Sequence, residues 1–167
     1  MVESVGSGRQ GWRLRVFLGS AAATRTLGRA LGGSLIGGEM LALTGPLGSG
    51  KTTLTRGVAL GLGVEQWVRS PSFTIVSRLN GRLPLYHIDL YRLEPPVDLG
   101  ELGWADADDG RAIAVVEWAE KAALPASERT LEVCLCYAKG GREVEIHGTE
   151  GTRHVYTRMA RYDGRSL

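Results

Sequence analysis

Gly45-Pro46-Leu47-Gly48-Ser49-Gly50-Lys51-Thr52 spells G-x-x-x-x-G-K-T. Residues of these types at this spacing form a loop that binds the phosphates of a nucleoside triphosphate. Glycines at 45, 48 and 50 let the backbone take conformations closed to other residues and come close to an anion. The loop then turns several N–H groups inward, backed by the positive end of the following helix. Lys51 is expected to reach the β- and γ-phosphates, and the Thr52 hydroxyl to ligate Mg²⁺. The nucleotide-binding set is therefore Gly45, Leu47, Gly48, Ser49, Gly50, Lys51, Thr52 and Thr53. The bland alternative is a glycine-rich turn with a chance Lys-Thr after it. The flanks argue against that. Met40 to Thr44 is an apolar stretch of strand length, and Thr52 to Leu60 reads as a helix with Leu54 and Val58 on one face.

A phosphate loop needs a carboxylate to hold or orient Mg²⁺ and a group to position the attacking water. Asp89 and Glu117 each end an apolar strand, where the ligand crevice of an open α/β sheet lies. Both are candidates for catalysis, with Lys51, and for metal binding, with Thr52. Either acid alone would also pass as an ordinary strand-end carboxylate. Arg92 is placed to pair with Asp89 or touch phosphate. His87 shares a strand face with Asp89, and reads equally as a half-buried structural histidine.

These residues need a scaffold, and the rest of the chain supplies its outline. Trp12 to Leu18 alternates apolar and polar residues, the pattern of a half-buried antiparallel strand at a sheet edge. Ser20 caps a helix running to Ala30-Leu31 and closed by Gly32-Gly33. Gly61-Leu62-Gly63 ends the helix after the phosphate loop. Thr74 to Leu79 is a β-branched strand, and Asn80-Gly81 turns it back into Leu83 to Asp89. Ala112 to Val116 is a buried strand; Leu131 to Tyr137 and Arg142 to His147 form a hairpin across Lys139-Gly140-Gly141. Glu94 to Asp109 carries six acids and no Lys or Arg. It reads as a loop with short helical turns around Asp98 to Leu102, either a solvated face or, with Trp104, Asp106, Asp108 and Asp109, a partner-docking surface.

The 167 residues suit one domain with a sizeable core, and 43% hydrophobic with 23% charged residues is ordinary for a globular protein. A net charge of +2 is too small to argue nucleic-acid binding by itself. Cys134 and Cys136 read as small reduced hydrophobes, with nothing nearby to complete a metal site. No apolar run is long enough to span a membrane, and Met1 to Gly11 has no apolar signal core, so a cytoplasmic location is expected. The expected organisation is a flexible tail over 1–11, a P-loop ATPase domain over 12–147 and an Arg-bearing C-terminal tail over 148–167. The expected fold is α/β: a P-loop NTPase-like three-layer sandwich with a mixed, mostly parallel central sheet and antiparallel edge strands.

Taken in order, Leu47-Gly48-x-Gly50-Lys51-Thr52-Thr53, Ser70-Pro71-x-Phe73, His87-x-Asp89-Leu90-Tyr91-Arg92 and Glu117-Trp118 resemble the TsaE (YjeE) family. That family is the bacterial ATPase component of the machinery that makes N6-threonylcarbamoyladenosine at position 37 of tRNA. The resemblance runs from about Trp12 to about His147. It implies ATP or ADP with Mg²⁺, partnership with TsaB and TsaD, and contact with tRNA through that complex. It also implies that Lys51 holds phosphate and Thr52 the metal, that Glu117 acts on Mg²⁺, and that Asp89 is the second acid needed for hydrolysis. By the same resemblance, Ser70 to Phe73 is a loop sensing the γ-phosphate, Arg142 lies near the nucleotide and Trp118 lies beside the site. Ser49 stands where the family usually has Ala, and Ser72 where Thr is usual.

Two other functions compete. A small-molecule P-loop kinase would need a second substrate pocket and an Arg-bearing lid, yet no Arg follows Glu94 until Arg111. A non-hydrolysing nucleotide-sensing module would bind the same ligand without turnover.

Overall fold

The computed structural model describes residues 2–8, 11–65, 75–103 and 110–162. Its strands are β1 (Val2–Gly8), β2 (Gly11–Leu18), β3 (Met40–Thr44), β4 (Val76–Asn80), β5 (Pro84–Asp89), β6 (Ile113–Glu117), β7 (Thr130–Ala138) and β8 (Gly141–Gly148). Its helices are α1 (Ala21–Ser34), α2 (Lys51–Gly61) and α3 (Arg153–Met159). All eight strands join one sheet, in the order β1-β2-β8-β7-β3-β6-β5-β4. The four central strands β7, β3, β6 and β5 run parallel to one another. The outer pairings are antiparallel. This is the expected mixed sheet with antiparallel flanks.

Strands β3 and β6 read as unbroken apolar runs because both of their faces are covered. Leu41, Leu43, Val115 and Val133 face the helical layer, where they meet Leu27, Leu31, Leu54 and Val58. Met40, Ala42, Ala114 and Val116 face the other way, toward Leu90, Val97, Leu99 and Ala119. That second cover has no α-helix among the described residues. It consists of two segments, before and after β6, with 3-10 turns at Gly100–Leu102 and Ala119–Lys121.

Helix α1 starts where Ser20 predicts, its Oγ accepting a hydrogen bond from the Ala23 N–H at 3.1 Å. It does not stop at Gly32-Gly33 but runs on to Ser34. The reason lies in its packing against α2. A Cβ on Gly28 would sit 2.3 Å from the Leu54 carbonyl oxygen, and one on Gly32 would sit 2.2 Å from that of Val58. Facing them, a Cβ on Gly57 or Gly61 would strike the Arg25 or Arg29 carbonyl. The two helices therefore touch backbone to backbone. Each glycine costs about 1 kcal/mol of helix propensity relative to Ala. In return, α1 lies close enough to set its first turn beside the phosphate loop.

Both termini depart from expectation. Residues 2–8 are not a free tail but strand β1, paired antiparallel with β2 from Val2↔Val16 to Gly8↔Gly11. Ladder hydrogen bonds come from the backbone, so a small, polar sequence forms them without an apolar signature. Strand β2 is accordingly the second strand, although its alternation is as expected, with Trp12, Leu14, Val16 and Leu18 buried. The C-terminal segment belongs to the core rather than to a loose tail. Val155, Met159 and Tyr162 are buried in it. The Trp12 indole N–H donates to Thr149 O and Thr152 Oγ1, both at 3.1 Å, and the Trp12 ring meets that of Tyr156 at 5.4 Å. The domain therefore extends on both sides of 12–147.

Candidate functional site

The site lies at the carboxyl ends of the parallel strands. Strand β3 feeds the loop Gly45–Gly50, which opens α2 at Lys51. Strand β6 lies beside β3 and β5 beside β6, with Asp89 in register with Glu117. After β3 the chain first builds the strands to one side and only later adds β7 on the other, so the loop sits where the winding direction changes.

The loop glycines are used as their residue type permits. Gly45, Gly48 and Gly50 have φ of 129°, 75° and 111°, the left-handed half of backbone space. Gly45 is doubly constrained, since a Cβ there would lie 2.2 Å from Leu135 O. The hairpin β7–β8 clips the loop from outside. Tyr137 Oη donates to Leu47 O at 2.7 Å and Arg142 Nη2 to Gly48 O at 3.2 Å. These two residues are cross-strand partners.

Lys51 lies almost fully inside the site. Its Nζ donates to Gly45 O at 2.6 Å and Pro46 O at 3.0 Å, and sits 3.7 Å from the centroid of the Trp118 ring. Burial pulls its ammonium below the usual lysine range, against the opposing pull of Glu117, Glu120 and Asp89. Trp118 holds φ of 61°, the one non-glycine residue with positive φ among the described residues. That turn is what aims its indole back over the loop. The Tyr91 ring lies against it, tilted by 40° with ring centroids 5.0 Å apart.

Glu117 is buried at the centre. Its Oε2 accepts from Thr52 Oγ1 at 2.8 Å. Its Oε1 lies 2.9 Å from Thr55 Oγ1 and 2.8 Å from His87 Nε2. Burial alone would raise this carboxyl, but the hydrogen bonds from His87, Thr52 and Thr55 outweigh it and hold Glu117 below the usual carboxylate range. Asp89 accepts a hydrogen bond from the Tyr91 N–H at 3.1 Å.

These side chains line one cleft of about 260 Å³, which gathers Leu47, Gly48, Gly50, Lys51, Thr52, Thr53, Asp89, Glu117, Trp118 and Arg142. Ala21 and Thr24 of α1 form its far wall. Nearly all the residues expected from the sequence thus meet. Gly45 and Ser49 of the expected set do not line it, and Ser49 is fully buried. The Ser70 to Phe73 loop and Trp104, Asp106, Asp108 and Asp109 lie outside the described residues. Arg92 is exposed. Sequence reasoning missed Thr55 and Tyr137 as parts of the site. Thr55 stands four residues after Lys51, so one helical turn brings its hydroxyl to Glu117. Tyr137 carried no local signal at all. A larger cleft, about 420 Å³, lies at the far end of α1 and α2 beside Arg29, Arg82 and Arg158. Its described lining residues include no carboxylate.

The arrangement suits a polyphosphate with a hard divalent cation. Lys51 and Arg142 line one cleft with Gly48 and Gly50 of the loop, and two hard-oxygen side chains, Thr52 and Glu117, border it. Among the described residues no three of His, Cys, Asp and Glu converge on a metal position. Among the described residues Arg142 Nε is buried without a hydrogen-bond partner, 3.5 Å from where a Gly50 Cβ would stand.

A family model described as threonylcarbamoyl adenosine biosynthesis protein TsaE matches residues 18–144. A protein named tRNA threonylcarbamoyladenosine biosynthesis protein TsaE from Nostoc sp. is 39% identical over 138 residues, covering 79% of this chain and 84% of its own length. Proteins of the same name from Treponema pallidum and Bacillus subtilis are 38% and 39% identical, covering 76% and 75% of this chain and 95% and 80% of theirs. The crystal structure of Bacillus subtilis YdiB superposes with a TM-score of 0.74 at 29% identity, over 93% of this chain and 99% of that one. With a phosphate loop backed by the Thr52–Glu117 hydrogen bond, and a family match spanning most of its length, this chain belongs to the TsaE family.

Proposed function

We propose that this protein binds ATP and ADP with Mg²⁺, hydrolyses ATP, and serves in the formation of N6-threonylcarbamoyladenosine in tRNA. Its relatives carry that pathway in their names. Homologues of TsaB and TsaD would be its partners, with tRNA reached through their complex. The observation that carries the reading is the Thr52 hydroxyl held 2.8 Å from the Glu117 carboxylate at the mouth of a glycine loop.

The residues divide the work. Backbone N–H groups of the loop other than that of Ser49, which donates to Pro46 O, bind the phosphate chain, and Lys51 exchanges its two carbonyl acceptors for phosphate oxygens. Thr52 and Glu117 would hold Mg²⁺, which supplies charge neutralisation on the phosphates when bound. Asp89, one strand from Glu117, orients the attacking water. Arg142 closes the outer side of the loop. Phosphoryl transfer needs positioning and charge rather than covalent help from the protein, so this set is sufficient in kind. Its cleft is open to solvent on one side, which favours slow turnover until a partner completes it.

The test is calorimetry of ADP and ATP with and without Mg²⁺, followed by phosphate release with and without TsaB and TsaD homologues. Nucleotide binding, weak turnover alone and faster turnover in the complex are expected. Absence of nucleotide binding would overturn the whole reading. Binding without turnover, even in the complex, would leave a nucleotide sensor instead of an ATPase.

A further inference from the structure

His87 lies at the centre of β5 and is fully buried. Its Nε2 is 2.8 Å from Glu117 Oε1, and its Nδ1 has no hydrogen-bond partner among the described residues. An ionised carboxylate only accepts hydrogen bonds, so the imidazole donates through Nε2–H. The two oxygens of Glu117 are thereby divided. Oε1 is turned inward to His87 and Thr55, and Oε2 outward to the Thr52 hydroxyl.

Thr55 cannot fix this arrangement alone. Its hydroxyl carries one proton and has two acceptors in reach, Lys51 O at 3.0 Å and Glu117 Oε1 at 2.9 Å. The bond to Lys51 O is the ordinary one for a threonine inside a helix. The His87 Nε2 proton has no such competitor: Glu117 Oε1 is its one acceptor among the described residues. A buried ring nitrogen left without a partner is costly, and an apolar side chain would avoid the cost at this position. What the histidine supplies in exchange is the fixed Oε1.

We propose that His87 is a positioning residue: its Nε2–H locks the Glu117 rotamer so that Oε2 stands beside Thr52, in place for a divalent cation. This rests on the nucleotide reading given above and goes beyond it, by assigning the orientation of the carboxylate to a strand residue remote from the phosphate loop. Partners of this kind behind metal ligands carry 10- to 100-fold effects on metal affinity or activity.

The experiment compares wild type, His87→Leu and His87→Gln. Gln places its amide N–H₂ the same number of bonds from Cα as Nε2, so it keeps the donor; Leu removes it. ADP binding is titrated by calorimetry with no metal and at a series of Mg²⁺ concentrations, beside thermal melting of each protein. In His87→Leu, metal-free ADP affinity should stay within about threefold of wild type, while the Mg²⁺ concentration that half-restores tight binding rises about 10- to 100-fold. His87→Gln should recover most of that loss. An unchanged Mg²⁺ response in His87→Leu would overturn the proposal, as would equal impairment of the Leu and Gln proteins. Should both variants fail to fold, ¹⁵N spectra of the metal-free wild-type imidazoles decide it. The chain has 3 histidines. A proton on His87 Nε2 supports the assignment and its absence refutes it. Wild type that binds no nucleotide at any Mg²⁺ concentration would bring down the nucleotide reading itself, and this proposal with it.

Discussion

The indole of Trp118 roofs the ammonium of Lys51, ring centroid to Nζ 3.7 Å. The contact depends on a backbone that few residues tolerate, since Trp118 has φ of 61°. It joins the two ends of the phosphate site: Lys51 opens α2, and Trp118 follows the last residue of β6. A lysine so placed is also desolvated, which is why its ammonium is pulled below the usual range. A phosphate arriving at the loop competes with the indole and with two carbonyls for one cation.

That competition gives an optical reading. Binding of ADP should change the emission of Trp118, and Trp118→Phe should lose the change while binding ADP within a few-fold of wild type. Lys51→Ala removes the cation that faces the phosphates. A hydrogen bond to a charged group is worth about 1.5–3 kcal/mol, so affinity should fall about 10- to 100-fold. Calorimetry on the two variants checks both statements, and equal affinity of Lys51→Ala and wild type would contradict the role of Lys51.

Thr52→Ala and Glu117→Ala should separate binding from hydrolysis. The loop N–H groups still hold the anion when either side chain is removed. Charge developing in the transition state is then left less neutralised, and hydrolysis should fall by on the order of 10²-fold. Single-turnover hydrolysis at saturating Mg²⁺ and ATP is the measurement. Rates equal to wild type in both proteins would exclude Glu117 and Thr52 from the chemistry.

The reach of the sequence follows from where each signal resides. The phosphate loop was legible because its function fixes residue type at each of several consecutive positions. Asp89 and Glu117 were legible because apolar strands end on them. His87 was ambiguous, since a period-two pattern assigns it a face but cannot say that Glu117 stands across from it on the next strand. Tyr137 and Arg142 reach the loop from about 90 residues away, hydrogen-bonded to Leu47 and Gly48 from a strand pairing that local pattern does not encode. Strand β1 was invisible because its ladder is backbone alone. Helix α3 was overlooked because its seven residues carry only Val155 and Met159 as buried apolar positions, too short a pattern to stand out between arginines.

The depressed carboxyl of Glu117 has a consequence for stability in metal-free buffer. Its folded value lies below the usual 4.5, so the unfolded chain takes up this proton first as acid is added. The sign follows: the contribution is complete above about pH 4.5 and is lost as pH falls through the folded value. Glu117→Gln cannot ionise, so its urea midpoint should fall less steeply than that of wild type between about pH 6 and pH 3. Parallel acid limbs for the two proteins would mean that the hydrogen bonds from His87, Thr52 and Thr55 do not favour the ionised form.

The seam between α1 and α2 makes opposite predictions for two glycines of one helix. A Cβ on Gly28 would meet Leu54 O at 2.3 Å and the Gly57 Cα at 2.9 Å, both backbone atoms that cannot swing aside. A Cβ on Gly33 would have nothing within 4 Å. Both substitutions gain about 1 kcal/mol of helix propensity. For Gly33→Ala nothing opposes that gain, and the melting temperature should rise by about 2–4 °C. For Gly28→Ala the helices must part, and overpacking costs of about 1–3 kcal/mol or more exceed the gain. Its melting temperature should fall, and because α1 carries Ala21 and Thr24 to the wall of the cleft, ADP affinity should fall with it. Thermal melting of the two proteins side by side is decisive. If Gly28→Ala is as stable as Gly33→Ala, the helices do not meet backbone to backbone, and the close approach that sets α1 against the phosphate loop is wrong.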